Sequence, residues 1–296
     1  MKTYVISGAT GHTGKPITLG LLEKGHKVRI ISRNAEKAKE LTGKGAELFL
    51  GDTYDHDLVR SAFQGADAVY AMIPFDSAAP DYTVSQVRHA TSIAEGLKTT
   101  GVKYVVLLSS IGAHLTQGAG AVQGLQKAET ILNGIDGLNA IYLRAGYFME
   151  NSLAQVGAIK YMGVMASPVL GDLKIPMVAT RDIAAAALRY LLSLSFSGKN
   201  IDYALGQRDV SYNEIAGIFG KAIGLPDLKY HAGTFEEGKQ AMLQMGMGES
   251  VVDNLMVFIK ALNEGLILND ARRTTANTTP TSIEDFSLVF KAVYEM

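Results

Sequence analysis

Three glycines near the N-terminus, Gly8, Gly11 and Gly14, have a spacing that suits the binding of a phosphate group. They follow a β-branched and aromatic run at residues 4–6, which predicts a buried strand, and they precede helix-like apolar spacing at residues 17–22. In such a turn, glycines permit the sharp bend, the close approach of backbone to an anion, and tight packing of the helix on the sheet. The helix N-terminus offers a pyrophosphate unpaired N–H groups and a partial positive charge.

A nucleotide site at this turn is the interpretation that the position between a strand and a helix favours, and a purely structural glycine-rich turn is the alternative. The candidate phosphate-binding residues are Gly8, Thr10, Gly11, His12, Thr13 and Gly14.

Arg33 follows the second predicted strand, residues 27–31, where an acidic residue would bind the ribose hydroxyls of NAD. An arginine suits bidentate contact with a 2′-phosphate, so the sequence favours NADP(H) and leaves NAD(H) open. The alternative is that Arg33 and Lys37 are solvated residues at the start of a helix.

Composition excludes several other kinds of protein. The net charge of -1 gives no electrostatic basis for direct nucleic-acid or anionic-membrane binding. The absence of cysteine excludes disulfides and thiolate chemistry, and it fits a cytoplasmic protein. The histidines have no metal-ligand spacing, so no metal site is expected. Neither a signal peptide nor an apolar stretch long enough to span a bilayer is expected.

Strands alternate with helices through residues 1–151, which predicts an α/β fold with a doubly wound parallel sheet of the Rossmann type. We expect residues 152–296 to form a smaller C-terminal α/β lobe over the ligand edge, with some segments interleaved with the first domain. Because the carboxyl ends of parallel strands share one edge, Asp52, Ser109 and Tyr147 should meet there.

Four segments resemble the NmrA-like family of atypical short-chain dehydrogenase/reductases: VISGATGHTG at 5–14, LRAGYFMEN at 143–151, TRDIA at 180–184 and PTSIEDF at 280–286. The resemblance implies a Rossmann domain that binds NAD(P)(H), with Arg33 on the 2′-phosphate and Asp52 on the adenine. It also implies that Met72, Ile73 and Pro74 line the cofactor. Family members include NADPH-dependent quinone reductases and regulators that bind the cofactor and act through protein partners, and the sequence is compatible with a protein partner or a homodimer.

The usual proton donor of short-chain dehydrogenases is missing. Most of these enzymes use Tyr-x-x-x-Lys, in which the lysine lowers the pKa of the phenol. Here Lys127 is preceded four residues earlier by Gln123, and no tyrosine occurs between Tyr104 and Tyr142. Lys127 either acts alone as an acid, binds the nicotinamide ribose, or is an exposed helix lysine.

Other side chains near the predicted edge have two interpretations each. Ser109 and Ser110 either bind a substrate carbonyl or the nicotinamide amide, or cap the end of their strand. Tyr147 either faces the nicotinamide or packs in the core. His114 is a weaker candidate for the proton donor. The methionines at 242, 245, 247 and 256 suit an irregular apolar ligand, although core packing explains them better.

The sequence therefore predicts an NAD(P)H-dependent oxidoreductase that reduces a small quinone-like or carbonyl compound. The alternative is a non-catalytic NADP(H)-binding redox sensor that acts on a protein partner. A sugar-nucleotide epimerase is less favoured, because such enzymes also rely on the missing tyrosine.

Replacing Arg33 with aspartate tests the cofactor preference. We expect Arg33→Asp to weaken NADPH binding about 10- to 100-fold, the worth of a charged hydrogen-bonding pair, and to reduce discrimination against NADH. Titration of protein with both nucleotides measures the two dissociation constants. An unchanged NADPH affinity would mean that another residue binds the 2′-phosphate.

Overall fold

The computed structural model describes residues 1–296, and strands and helices alternate along most of the chain. The strands are β1 (Thr3–Ser7), β2 (Lys27–Ser32), β3 (Glu47–Leu50), β4 (Ala68–Met72), β5 (Tyr104–Ser110), β6 (Asn139–Ala145), β7 (Tyr147–Phe148), β8 (Val164–Ser167), β9 (Ile175–Val178), β10 (Lys199–Ala204), β11 (Asp209–Val210) and β12 (Lys229–Ala232). The helices are α1 (Gly14–Glu23), α2 (Ala35–Gly43), α3 (His56–Phe63), α4 (Tyr82–Thr100), α5 (Gln123–Asn133), α6 (Gln155–Met162), α7 (Thr180–Ser193), α8 (Tyr212–Ala222), α9 (Phe235–Gln244), α10 (Glu249–Asn263) and α11 (Ile283–Tyr294). None of these helices has both the length and the apolar character needed to cross a membrane.

Seven strands form one parallel sheet in the order β10–β6–β5–β4–β1–β2–β3. The strand β1 lies inside it, and Tyr4, Val5 and Ile6 are fully buried. Helices cover both faces, which explains why the central strands are nearly continuously apolar. The predicted doubly wound parallel sheet is confirmed.

The order of strands reverses at β1, which has β2 on one side and β4 on the other. The chain leaves β3 through α3 and returns to the other side of β1. Open parallel sheets bind ligands in the crevice outside the carboxyl ends of strands at such a reversal. Gly8, Arg33, Asp52 and Pro74 all lie in loops that follow strands at this edge.

Capping side chains fix the residues at which several helices begin. Asp55 caps α3, where its carboxylate accepts hydrogen bonds from the backbone N–H groups of Asp57 and Leu58. A capping box begins α8, with Ser211 and Glu214 each accepting from the backbone of the other.

The second lobe has its own core of 25 buried residues, to which α8, α10 and α11 contribute. It carries a three-stranded sheet, β11–β9–β7, and a two-stranded sheet, β12–β8. Two elements beyond residue 151 belong to the first lobe instead: β10 extends the large sheet beside β6, and α7 packs against α1, with Leu188 facing Gly20. The two predicted domains therefore interleave in space.

A buried charge network joins the lobes. The guanidinium of Arg144, at the end of β6, donates to both carboxylate oxygens of Glu129 on α5, at 3.0 and 2.7 Å. It also donates to Asp270 at 2.6 Å, and the hydroxyl of Tyr203 donates to the same oxygen at 2.7 Å. The side chain of Arg144 is only 6% exposed, so its charge depends on these partners.

Removing one of these carboxylates should destabilise the fold. We expect Glu129→Gln to lower the free energy of unfolding by about 3 kcal/mol, the lower end for a broken buried ion pair, because Asp270 still compensates Arg144. Urea denaturation monitored by circular dichroism measures this change.

The control is Glu36→Gln, which breaks a surface pair with Lys39 in which both side chains are more than 70% exposed. This variant should change the stability by less than about 0.5 kcal/mol. Equal effects of the two substitutions would contradict a structural role for the buried network.

Candidate functional site

The turn between β1 and α1 is built around the carbonyl of Gly8. Gly8 has a φ of 63°, in the left-handed region that favours glycine. Its carbonyl accepts from the N–H of Gly11 at 3.0 Å. A Cβ on Gly14 would lie 2.3 Å from the same oxygen. Gly14 is therefore required by the turn itself, whereas the sequence suggested that it lets the helix approach the sheet.

The first residues of α1 leave backbone donors unpaired. The N–H groups of His12, Thr13 and Gly14 have no hydrogen-bond acceptor within the chain. These donors converge at the positive end of the dipole of a ten-residue helix, at the carboxyl edge of the sheet. This arrangement suits the binding of a phosphate anion.

The side chains of this turn contribute differently. The hydroxyl of Thr13 is buried and accepts from Tyr70 at 2.9 Å, so only its N–H is available to a ligand. His12 is exposed at the turn, and Thr10 lines the adjacent cavity.

A cavity of about 230 Å³ adjoins the turn and runs past the ends of β2 and β3. Its lining includes Gly8, Thr10, Gly11, Arg33, Asp52, Met72 and Pro74, all predicted from the sequence. It therefore brings together the residues proposed for the phosphates, the ribose and the adenine.

Arg33 and Asp52 face each other across this cavity. An Nη1–Oδ2 distance of 3.5 Å separates them, and the Arg33 side chain is 62% exposed while that of Asp52 is 11% exposed. The two side chains are not in close contact, so the guanidinium at the rim can turn towards a phosphate ligand at a small cost in free energy. Asp52 is also 3.3 Å from the Nδ1 atom of His89.

The segment after β4 forms another wall. Met72 and Pro74 line the cavity together with Phe75, whose side chain is half exposed. The terminal methyl of Met72 occupies the space that a Cβ on Gly8 would need. Ile73 is buried in the core between the sheet and α4, so only its backbone is placed to meet a ligand.

Ser109 and Ser110, at the end of β5, point to different partners. The hydroxyl of Ser109 is buried and donates to Glu129 at 2.5 Å, so the network around Arg144 already uses it. The hydroxyl of Ser110 donates to the carbonyl of Ile111 at 2.9 Å and is half-buried. Of the two hydroxyls, that of Ser110 is the more available to a ligand.

The other catalytic candidates have contrasting surroundings. Lys127 is exposed on α5 and has neither a hydrogen bond nor an ion pair. Gln123, at the position of the missing tyrosine, donates to the carbonyl of Thr116 at 2.9 Å and fastens the preceding loop. Tyr147 is half-buried at the edge, and burial raises the pKa of its phenol, an effect that Tyr212 and Asn151 only partly offset.

His114 lies away from the cofactor cavity. It lines a second cavity, of about 330 Å³, between α5 and β6. Its Nδ1 atom is 2.8 Å from Asp270 Oδ1, although the two atoms are not aligned for a hydrogen bond. His114 is therefore part of the contact between the lobes.

Sequence reasoning missed Thr53 and Phe75 at the cavity, His89 beneath Asp52, and Asp270 in the buried network. Phe75 had a usable signal, since it directly follows Pro74 at a strand end. His89 and Asp270 had none, because their partners lie on other elements. Among the methionines, Met242 and Met256 pack against the core of the second lobe, whereas Met245 is 63% exposed.

A methyl group at Gly14 should abolish the anion site. We expect Gly14→Ala to weaken dinucleotide binding at least about 100-fold, because the Cβ collides with backbone and displaces the donors that each contribute a charged hydrogen bond. Calorimetric titration with NADP+ measures this loss, and circular dichroism checks folding.

The matched control is Gly43→Ala, at the end of α2, where a Cβ meets no atom within 4 Å. Its affinity for NADP+ should equal that of the wild type. A folded Gly14→Ala variant with normal affinity would contradict the assignment of the anion site.

Known proteins resemble this chain both in sequence and in fold. A model of the NmrA-like family matches residues 1–286. An NAD(P)H azoreductase from Xenophilus azovorans is 30% identical over 249 residues, which cover 84% of this chain and 83% of the relative. The crystal structure of an Escherichia coli NADPH-dependent quinone oxidoreductase complexed with NADPH superposes with a TM-score of 0.80 at 24% identity, covering 96% of this chain and 98% of that one. NmrA, a negative transcriptional regulator solved in complex with NADP, has a TM-score of 0.76 at 16% identity, with 99% of this chain and 97% of that one covered. The chain described here belongs to the NmrA-like family.

Proposed function

We propose that the protein is an NADPH-dependent reductase of small quinone-like, carbonyl or azo compounds. The observation that carries this proposal is a shared location. The unpaired amides at the start of α1 and the cavity lined by Arg33 lie along the same edge of the sheet. Together they offer donors for a pyrophosphate and a cation for a 2′-phosphate at a topological reversal.

The residues present fit NADPH. The N–H groups of His12, Thr13 and Gly14 bind the pyrophosphate, Arg33 binds the 2′-phosphate, and Asp52 accepts a hydrogen bond from the adenine amino group. The cavity has no acidic residue at the end of β2, where NAD-specific proteins hold the ribose hydroxyls. NADPH is therefore the preferred cofactor, and NADH is the weaker alternative.

When bound, NADPH supplies a hydride from C4 of its nicotinamide. The reduced substrate also needs a proton, and the chain must hold one at this edge. Tyr147 is the candidate for this role because it follows the end of β6 at this edge and a phenol is protonated at neutral pH. Ser110 would orient the substrate, and Lys127, which is exposed and has no hydrogen bond or ion pair, would reach the cofactor ribose from the surface.

The relatives support the substrate class. Relatives that align over most of their length include an NAD(P)H azoreductase and a quinone oxidoreductase. Quinones and azo compounds are both flat, apolar electron acceptors, so the two relatives point to one substrate class.

A cofactor-sensing regulator is the second candidate, and the feature that favours it is the absence of a tyrosine four residues before Lys127. Such a protein would bind NADP(H) through the same residues and change its affinity for a protein partner. The absence of cysteine supports a cytoplasmic location under either proposal.

Turnover measurements distinguish the two proposals. Purified protein incubated with NADPH and a panel of benzoquinones, naphthoquinones and azo dyes should consume NADPH, monitored by its absorbance. We expect kcat/KM to be at least about tenfold higher with NADPH than with NADH, because one charged hydrogen bond contributes more than 1.4 kcal/mol. Tyr147→Phe should lower kcat about 100-fold without changing the NADPH dissociation constant.

Tyr161→Phe is the control, because that side chain is 91% exposed. Its kinetics should equal those of the wild type. Tight NADPH binding without turnover of any acceptor would exclude the reductase and favour the regulator.

A further inference from the structure

His89 is a buried residue of α4 that lies beneath the Arg33–Asp52 pair. Its residue exposure is 4%, and its Nδ1 atom is 2.8 Å from Thr53 Oγ1 and 3.3 Å from Asp52 Oδ1. The ring therefore contacts one oxygen of Asp52, while Arg33 lies 3.5 Å from the other. Asp52 is held from two sides, by a cation at the rim and by an imidazole below.

This geometry matters because Asp52 competes with a phosphate for Arg33. A carboxylate that pairs closely with the guanidinium neutralises the charge that would attract a 2′-phosphate. The imidazole beneath, fixed by its hydrogen bond with Thr53, contacts Asp52 Oδ1 at 3.3 Å and keeps the carboxylate at the distance seen here, where Arg33 is still mostly exposed. The position of Asp52 thus controls how much of the Arg33 charge a ligand meets.

The surroundings keep the imidazole neutral and in place. Burial, together with Arg33 and Arg88, lowers the pKa of His89, while Asp52 and Asp76 oppose this shift. The Tyr54 ring lies 5.6 Å from the imidazole, and the Arg88 guanidinium lies 4.5 Å from the centre of that ring. A neutral imidazole that is hydrogen-bonded to Thr53 through Nδ1 supports the Asp52 carboxylate without adding a charge to the cavity.

We propose that His89 is a positioning residue that holds the Asp52 carboxylate off Arg33 through Nδ1 and thereby sets the preference for NADPH over NADH. This inference rests on the proposed function, since it concerns selectivity of the same cofactor cavity. His89 does not line that cavity, so it acts through Asp52 rather than by touching the nucleotide.

Removing the imidazole tests this role. In His89→Leu, Asp52 should move onto Arg33, and the ratio of the NADH to the NADPH dissociation constant should fall about fivefold, the worth of one exposed ion pair. The KM for NADPH should rise while kcat stays unchanged. His89→Asn, whose amide nitrogen occupies nearly the position of Nδ1, should restore the wild-type ratio.

Two further variants separate positioning from general packing. His56→Leu removes an exposed histidine that pairs with Glu95, and it should leave the ratio unchanged. In an Asp52→Asn background, His89→Leu should have no additional effect on the ratio, because the carboxylate through which it acts is absent.

The outcomes are distinct. A His89→Leu variant that weakens NADPH and NADH equally, or an effect that persists in the Asp52→Asn background, would overturn the positioning role alone. Failure of the wild-type protein to bind either nucleotide would overturn the proposed function and this inference with it.

Discussion

The structure depends on a short stretch of backbone whose N–H groups have no partner in the chain. The turn that closes on the Gly8 carbonyl leaves the amides of His12, Thr13 and Gly14 pointing outward at the start of α1. Unpaired donors are costly when buried, so this helix start is stable only where water or an anion can reach it. The sheet meets that condition by placing the turn at its carboxyl edge, beside the reversal of strand order.

Two arginines near this edge show how burial decides what an ion pair does. Arg33 is mostly exposed and is separated from Asp52 by 3.5 Å, so a ligand can replace its partner. Arg144 is almost completely buried and donates to Glu129 and Asp270 over shorter distances. These hydrogen bonds persist because the loss of a partner would leave an unpaired charge buried inside the protein. We therefore propose a binding role for the first arginine, whereas the second joins the two lobes.

The same network affects which groups remain for catalysis. Ser109 has the sequence position of a substrate-binding hydroxyl, but its hydroxyl donates a hydrogen bond to Glu129. Gln123 stands at the position of the usual tyrosine and donates a hydrogen bond to the loop that precedes it. Ser110, whose hydroxyl donates to the neighbouring carbonyl of Ile111, and Tyr147, whose phenol meets Tyr212 and Asn151, are the remaining polar candidates at this edge.

The sequence by itself determined the N-terminal βαβ unit, the glycine turn and Arg33, because buried parallel strands and turn chemistry are local properties that neighbouring residues specify. The short strands β7, β8, β11 and β12 escaped prediction, since runs of two to four residues have no measurable period. Only the tertiary structure decided that β10 extends the first sheet, that Asp270 reaches Arg144 from 126 residues away, and that His89 lies under Asp52. Such contacts are set by packing between distant elements, and no local pattern of residue types encodes which buried carboxylate will meet which cation.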